Sequence, residues 1–140
     1  MPGRIVKRIF LLRGLVLCAA VLWAWGASAA ELTQQSSDTG GVTISVKPTD
    51  VSAAAKTWQF QVALNTHTGD LADDLARTAT IVDAAGKQYA ALGWKGDPVG
   101  GHHRKGVLQF EALSPRPDAL ELRIARAGET APRTFRWKLK

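Results

Sequence analysis

From Val42 onward the hydrophobic pattern of this chain repeats every second residue, a period that suits an extended strand and excludes a helix. Val42, Ile44 and Val46 alternate with Thr43, Ser45 and Lys47; Trp58, Phe60, Val62 and Leu64 alternate with Gln59, Gln61, Ala63 and Asn65. Near the C-terminus Leu120, Leu122 and Ile124 alternate with Glu121, Arg123 and Ala125, and Phe135, Trp137 and Leu139 with Thr134, Arg136 and Lys138. Successive side chains of a strand point to opposite faces, so each run buries one face and wets the other, as antiparallel sheets do.

Three less regular segments, 79–83, 88–94 and 106–113, read as further strands. Between them lies turn chemistry: Asp83-Ala84-Ala85-Gly86-Lys87, Asp97-Pro98-Val99-Gly100-Gly101, Ser114-Pro115-Arg116-Pro117-Asp118, and the segment 128–132. One stretch, 70–77, has helical spacing instead, with Leu71 and Leu75 four apart, acids in the first turn and Asp70 placed to cap. About seven strands and one short helical crossover predict an all-β fold, an immunoglobulin-like antiparallel β-sandwich, although the paired cysteines of antibody domains are absent. Trp58, Trp94 and Trp137 are expected in its core.

The N-terminus follows other rules. Arg4, Lys7, Arg8 and Arg13 precede an apolar run from Leu15 to Trp25, and the small residues Gly26, Ala27, Ser28, Ala29 and Ala30 follow. This is the layout of a cleavable secretory signal peptide over residues 1–30, and the apolar run of about a dozen residues is shorter than the roughly 20 that span a bilayer. Lys7-Arg8 departs from a twin-arginine motif, and Leu17 before Cys18 departs from lipoprotein processing. Residues 31–41 (ELTQQSSDTGG) are polar and aperiodic and read as a flexible lead-in, leaving 42–140 as one sandwich domain.

Cleavage would change the composition. Four of the 18 Lys and Arg residues lie in the first thirty positions and none of the 12 acids, so fourteen basic residues would face twelve acidic ones. The basic whole-chain charge therefore belongs largely to the signal and gives no argument for nucleic acid. Arg123, Arg126, Arg133, Arg136, Lys138 and Lys140 gather near the C-terminus, where their alternation with apolar residues suits a solvated sheet face. Cys18, the chain's one cysteine, would leave with the signal and take with it any disulfide or thiol chemistry. The sequence has no Gly-x-Ser-x-Gly elbow and no phosphate loop, so no catalytic motif is present and the reading is not an enzyme.

Three histidines remain, all at strand ends or loops: His67 in Asn65-Thr66-His67-Thr68-Gly69-Asp70, and His102 and His103 in Gly100-Gly101-His102-His103-Arg104. Strand parity points His67 and His103 outward, whereas His102 shares the parity of Leu108 and Phe110 and is expected to tuck under the glycine loop. Imidazoles joined by a carboxylate from Asp70, Asp73 or Asp74 suit Zn2+ or Cu2+, and Cu+ is disfavoured without methionine or cysteine ligands. The alternative is that these histidines pin loop backbone. The acidic trio Asp70, Asp73 and Asp74 is better explained by the helix N-terminus than by Ca2+.

The stretches Thr66-His67-Thr68-Gly69-Asp70-Leu71, then Asp74-Leu75, and Trp94 through Gly100-Gly101-His102-His103-Arg104 to Phe110 resemble a group of small exported prokaryotic β-sandwich proteins, largely uncharacterised. The resemblance spans about residues 41 to 140. It implies an exported β-sandwich with no established activity, so it carries over no functional residue.

Two functions fit these features. One is an exported, periplasmic or extracellular, accessory domain binding a divalent metal through His67 and His103, with His102 and Asp70 as further ligands. The other is a metal-free module docking on an envelope protein through a sheet face or edge, with Arg123, Arg136 and Lys138 as the contact.

Overall fold

The computed structural model describes residues 32–140; the expected signal peptide lies outside the described residues. Among the described residues nine strands and one short helix follow in order: β1 (Gln35–Thr39), β2 (Val42–Asp50), β3 (Thr57–Thr66), α1 (Leu75–Thr78), β4 (Ala79–Val82), β5 (Gln88–Ala90), β6 (Gly93–Gly96), β7 (His103–Glu111), β8 (Ala119–Ile124) and β9 (Arg133–Lys138). They form two sheets, β1-β2-β3-β7-β6 and β5-β4-β8-β9, with every pairing antiparallel. The order β2-β3-β7-β6 against β5-β4-β8-β9 corresponds to A-B-E-D against C′-C-F-G, the immunoglobulin-like arrangement.

Period-2 alternation does the packing. Ile44, Val46, Trp58, Phe60, Leu64, Leu108 and Phe110 of the first sheet face Ile81, Leu120, Leu122, Ile124, Phe135 and Trp137 of the second, all buried. Phe60 joins the layers, meeting Phe110 edge-on at 5.6 Å and the Trp137 ring across the sandwich at 5.9 Å. Each such aromatic contributes about 1.5–3 kcal/mol by burial alone. The indole N–H groups need polar partners once dry, and Trp58 donates to the Ser52 carbonyl at 2.9 Å, Trp137 to that of Thr33 at 2.8 Å.

Four expectations change. The lead-in is partly a strand: Gln35–Thr39 pairs along its length with β2 through a Gly40-Gly41 turn whose two residues both have positive φ, as a type I′ hairpin requires. The segment 88–94 is two strands in different sheets, with the chain crossing at Ala91 and Leu92. Trp94, expected in the core, is half-buried at the sandwich edge. Its indole occupies space that glycine leaves open, because a Cβ on Gly106 would lie 2.6 Å from Trp94 Cζ2.

The helix is the fourth. It spans Leu75–Thr78 alone, and Asp74, not Asp70, stands at its cap position, with no side-chain capping bond. The backbone of Leu71 is engaged elsewhere: its N–H donates to the Gly101 carbonyl at 3.0 Å and its C=O accepts from Gly100 N–H at 2.9 Å. Pairing to the neighbouring loop replaces the first helical turn, while Leu71 and Leu75 both still reach the core.

Candidate functional site

One pole of the sandwich collects the β1–β2 turn, the segment 67–74, the segment 97–102 and the β8–β9 loop, because β2, β4, β7 and β9 start there and β3 and β8 end there. In the immunoglobulin-like frame three of these are the B–C, D–E and F–G connections. The two loops that carry the histidines meet in the backbone: Gly100 and Gly101, both at positive φ, bend the chain so that it grips Leu71 from either side. Thr66 N–H also donates to the His102 carbonyl at 2.9 Å.

The side chains are arranged differently. His67, His102 and His103 are all exposed, as is Asp70. His102 does not tuck inward. The inward position of that parity is filled two residues later by Arg104, which is only 2% exposed. His103 Nδ1 lies 2.6 Å from Asn65 Oδ1, its cross-strand neighbour. No group of three His, Cys, Asp or Glu side chains able to hold a metal ion occurs among the described residues. The Asp73 carboxylate is engaged by Arg126 at 2.7 and 3.2 Å.

What holds this pole together is arginine. Arg104 Nη1 donates to the Asp73 carbonyl at 2.7 Å and the Leu71 carbonyl at 3.3 Å, Nη2 reaches the Asp97 carbonyl at 3.4 Å, and the guanidinium lies 5.6 Å from the Trp94 ring centroid. A buried cation is thus held by carbonyl dipoles and a π face. Arg126, Asp73, Glu129 and Arg133 form a second assembly, with Glu129 accepting from Arg126 at 3.2 Å and from Arg133 at 2.7 and 3.1 Å. The hydrogen bond from Arg133 holds the Glu129 carboxyl below its ordinary value, against burial, with Arg126 adding to it. The hydrogen bond to Asp73 raises Arg126 further, also against burial. Arg126 and Arg133, expected on a solvated face, are instead internal braces.

Sequence reasoning missed Arg104 because the strand was expected to begin at residue 106. Extending the Phe110, Leu108 parity back two steps reaches Arg104 directly. Arg133 carries the same signal, sharing the parity of Phe135 and Trp137.

The remaining basic residues do form an outer face. On the second sheet Glu121 stands opposite Arg136, Arg123 opposite Thr134 and Ala119 opposite Lys138. Arg136 Nε donates to one Glu121 carboxylate oxygen at 2.8 Å, and Arg123 Nε to the other. Burial pushes the Glu121 carboxyl up, and the hydrogen bonds and charges of the two arginines overcome this and hold it below its ordinary value. One carboxylate thus serves two guanidinium groups, and Arg136 and Lys138 remain exposed.

Among the described residues no helix is long and apolar enough to cross a membrane. No family model matches the chain, and no curated protein matches it. Among solved structures it is similar to a DUF4426 family protein from Pseudomonas aeruginosa PAO1, at 18% identity and a TM-score of 0.48, over 74% of this chain and 94% of that one.

Proposed function

We propose that this chain is an exported binding or accessory domain, periplasmic or extracellular, that docks without a metal on an acidic envelope protein. The contact is the outer face of β8 and β9. The observation that carries this reading is the arrangement of Arg123 and Arg136 around the single carboxylate of Glu121, with Lys138 beyond them. The shared carboxylate fixes both guanidinium groups in orientation and leaves the patch net positive, and pre-oriented charge raises association rate and selectivity for an acidic partner. Export is supported by the layout of the first thirty residues. The test is capture from an envelope fraction by the wild type and by an Arg123→Gln/Arg136→Gln/Lys138→Gln variant. A partner retained equally by both removes this surface.

A second reading, Zn2+ or Cu2+ binding through His67, His103, His102 and Asp70, is favoured by the backbone junction of the two histidine loops at Leu71 and Gly101. The engagement of His103 by Asn65 and the absence of a three-ligand group among the described residues count against it. Titrating either metal into the protein, followed by tryptophan fluorescence and melting temperature, decides it. Stoichiometric binding lost in a His67→Ala/His103→Ala variant would restore this reading.

A further inference from the structure

The outer face of the first sheet carries an open trough that belongs to neither surface above. Its volume is about 470 Å3, within the range of about 300–1,000 Å3 common for small-molecule sites. Register explains how it forms. Ser36, Ser45, Ala63 and Lys105 stand in one row across β1, β2, β3 and β7, and Lys47, Gln61, Val107 and Lys95 in the next row across β2, β3, β7 and β6. Ala63 and Val107, diagonal neighbours on β3 and β7 set between Gln61 and Lys105, are the short side chains of these rows and make the floor.

Polar groups rim this floor. Gln34, Gln61 and Ser45 line it together with Lys105, the Ser45 hydroxyl being hydrogen-bonded to that of Ser36 at 2.8 Å. Lys95, opposite Val107, is a diagonal neighbour of Lys105, about 7–8 Å away by sheet geometry. Both lysines are exposed. The Asp97 carboxylate accepts the backbone N–H of Lys105 at 2.9 Å. A glutamine amide both donates and accepts, which matches vicinal hydroxyl groups. A flat aliphatic floor suits the face of a sugar ring, and a lysine pair suits a carboxylate.

We propose that this trough binds an acidic saccharide, with the ring over Ala63 and Val107, hydroxyls on Gln34 and Gln61, and the carboxylate at Lys105 and Lys95. The site lies on the opposite sheet from the Arg123, Arg136 and Lys138 surface and stands independently of it.

The experiment is an NMR titration of the protein with trigalacturonate, with neutral cellotriose and with a triaspartate peptide. Trigalacturonate is expected to shift the amides of Ser45, Ala63, Lys105 and Val107. Lys105→Gln weakens that binding about tenfold, the scale of one lost charge-assisted hydrogen bond. Ala63→Leu, which fills the floor, abolishes it, and cellotriose binds more weakly. The proposal is overturned if trigalacturonate leaves those amides unmoved up to a few millimolar. It is equally overturned if Ala63→Leu binds like the wild type, or if triaspartate shifts the same amides more strongly than the saccharide does. The spectra themselves report whether each variant is folded.

Discussion

Arg133 donates a 2.6 Å hydrogen bond to the carbonyl of Val42, 91 positions earlier in the chain and in the other sheet. The same guanidinium also takes the carbonyls of Ser37 at 3.0 Å and Thr39 at 2.8 Å, so the first hairpin is clamped to the start of the last strand. Gln35 completes the seam, its side-chain oxygen accepting the Arg136 N–H at 3.0 Å. The β9 edge, which would otherwise invite pairing with another chain, is covered along this seam.

Removing that clamp has a defined consequence. Arg133→Ala leaves the Glu129 carboxylate with Arg126 as its remaining cation and takes the arginine donor from three carbonyls, and is expected to cost about 3–5 kcal/mol in equilibrium urea unfolding, the usual penalty for breaking a buried ionic pair from one side. Amide exchange in β1 should accelerate more than in β3. A β1 that stays as protected as in the wild type would show that β2 pairing alone holds it.

The pH dependence of stability follows from Glu129. Its folded-state carboxyl lies below the ordinary 4.5, so the unfolded chain binds the extra proton as pH falls through that region. The contribution is fully present above about pH 4.5 and declines as acidification proceeds through the lower folded value. Glu129→Gln should therefore melt lower than the wild type at neutral pH, and the gap between the two should narrow below pH 4. A gap that does not change with pH would assign the effect to packing.

Gly106 is fixed by contact. A methyl group there would meet Trp94 Cζ2 at 2.6 Å and Gly96 Cα at 2.7 Å, so Gly106→Ala should cost about 1–3 kcal/mol as overpacking does. Melting temperature reads the loss and tryptophan emission reads the displaced indole. An unchanged melting temperature would mean that the β6 edge yields without strain.

Arg104 sets the shape of the loop pole. Arg104→Ala leaves the Asp73 carbonyl without its arginine donor, takes the second donor from the Leu71 carbonyl and empties a buried position, and is expected to cost about 2–4 kcal/mol. The amides of Leu71 and Gly100 should then lose exchange protection together, because they bond to each other's loop. Loss at one without the other would separate the loops.

How far these features could be read in advance depended on where each strand met the core. Val42 to Val46, Trp58 to Leu64, Leu120 to Ile124 and Phe135 to Trp137 were legible because each buries a full apolar row. β1 was not, since Gln35, Ser37 and Thr39 face the rim beside β9 and are ordered by hydrogen bonds to Arg133 and Arg136 instead of by burial. The split at Ala91 and Leu92 was hidden because two short edge strands of different sheets make one continuous stretch of sequence. The outward parity of His67 and His103 was readable, but Arg104 took the inward place expected of His102. The basic patch could be located from alternation alone. That Arg123 and Arg136 share Glu121, while Arg126 and Arg133 are internal, required the cross-strand register.

The central claim is that the outer face of β8 and β9 is the contact surface. Site-specific photocrosslinking tests it most directly, with the crosslinker placed in turn at Thr134 and Lys138 on that face and at His67 and His102 on the loop pole. The account predicts one envelope partner joined from Thr134 and Lys138 and absent from both loop positions. The same partner joined from His67 or His102 but not from Thr134 or Lys138 would contradict it.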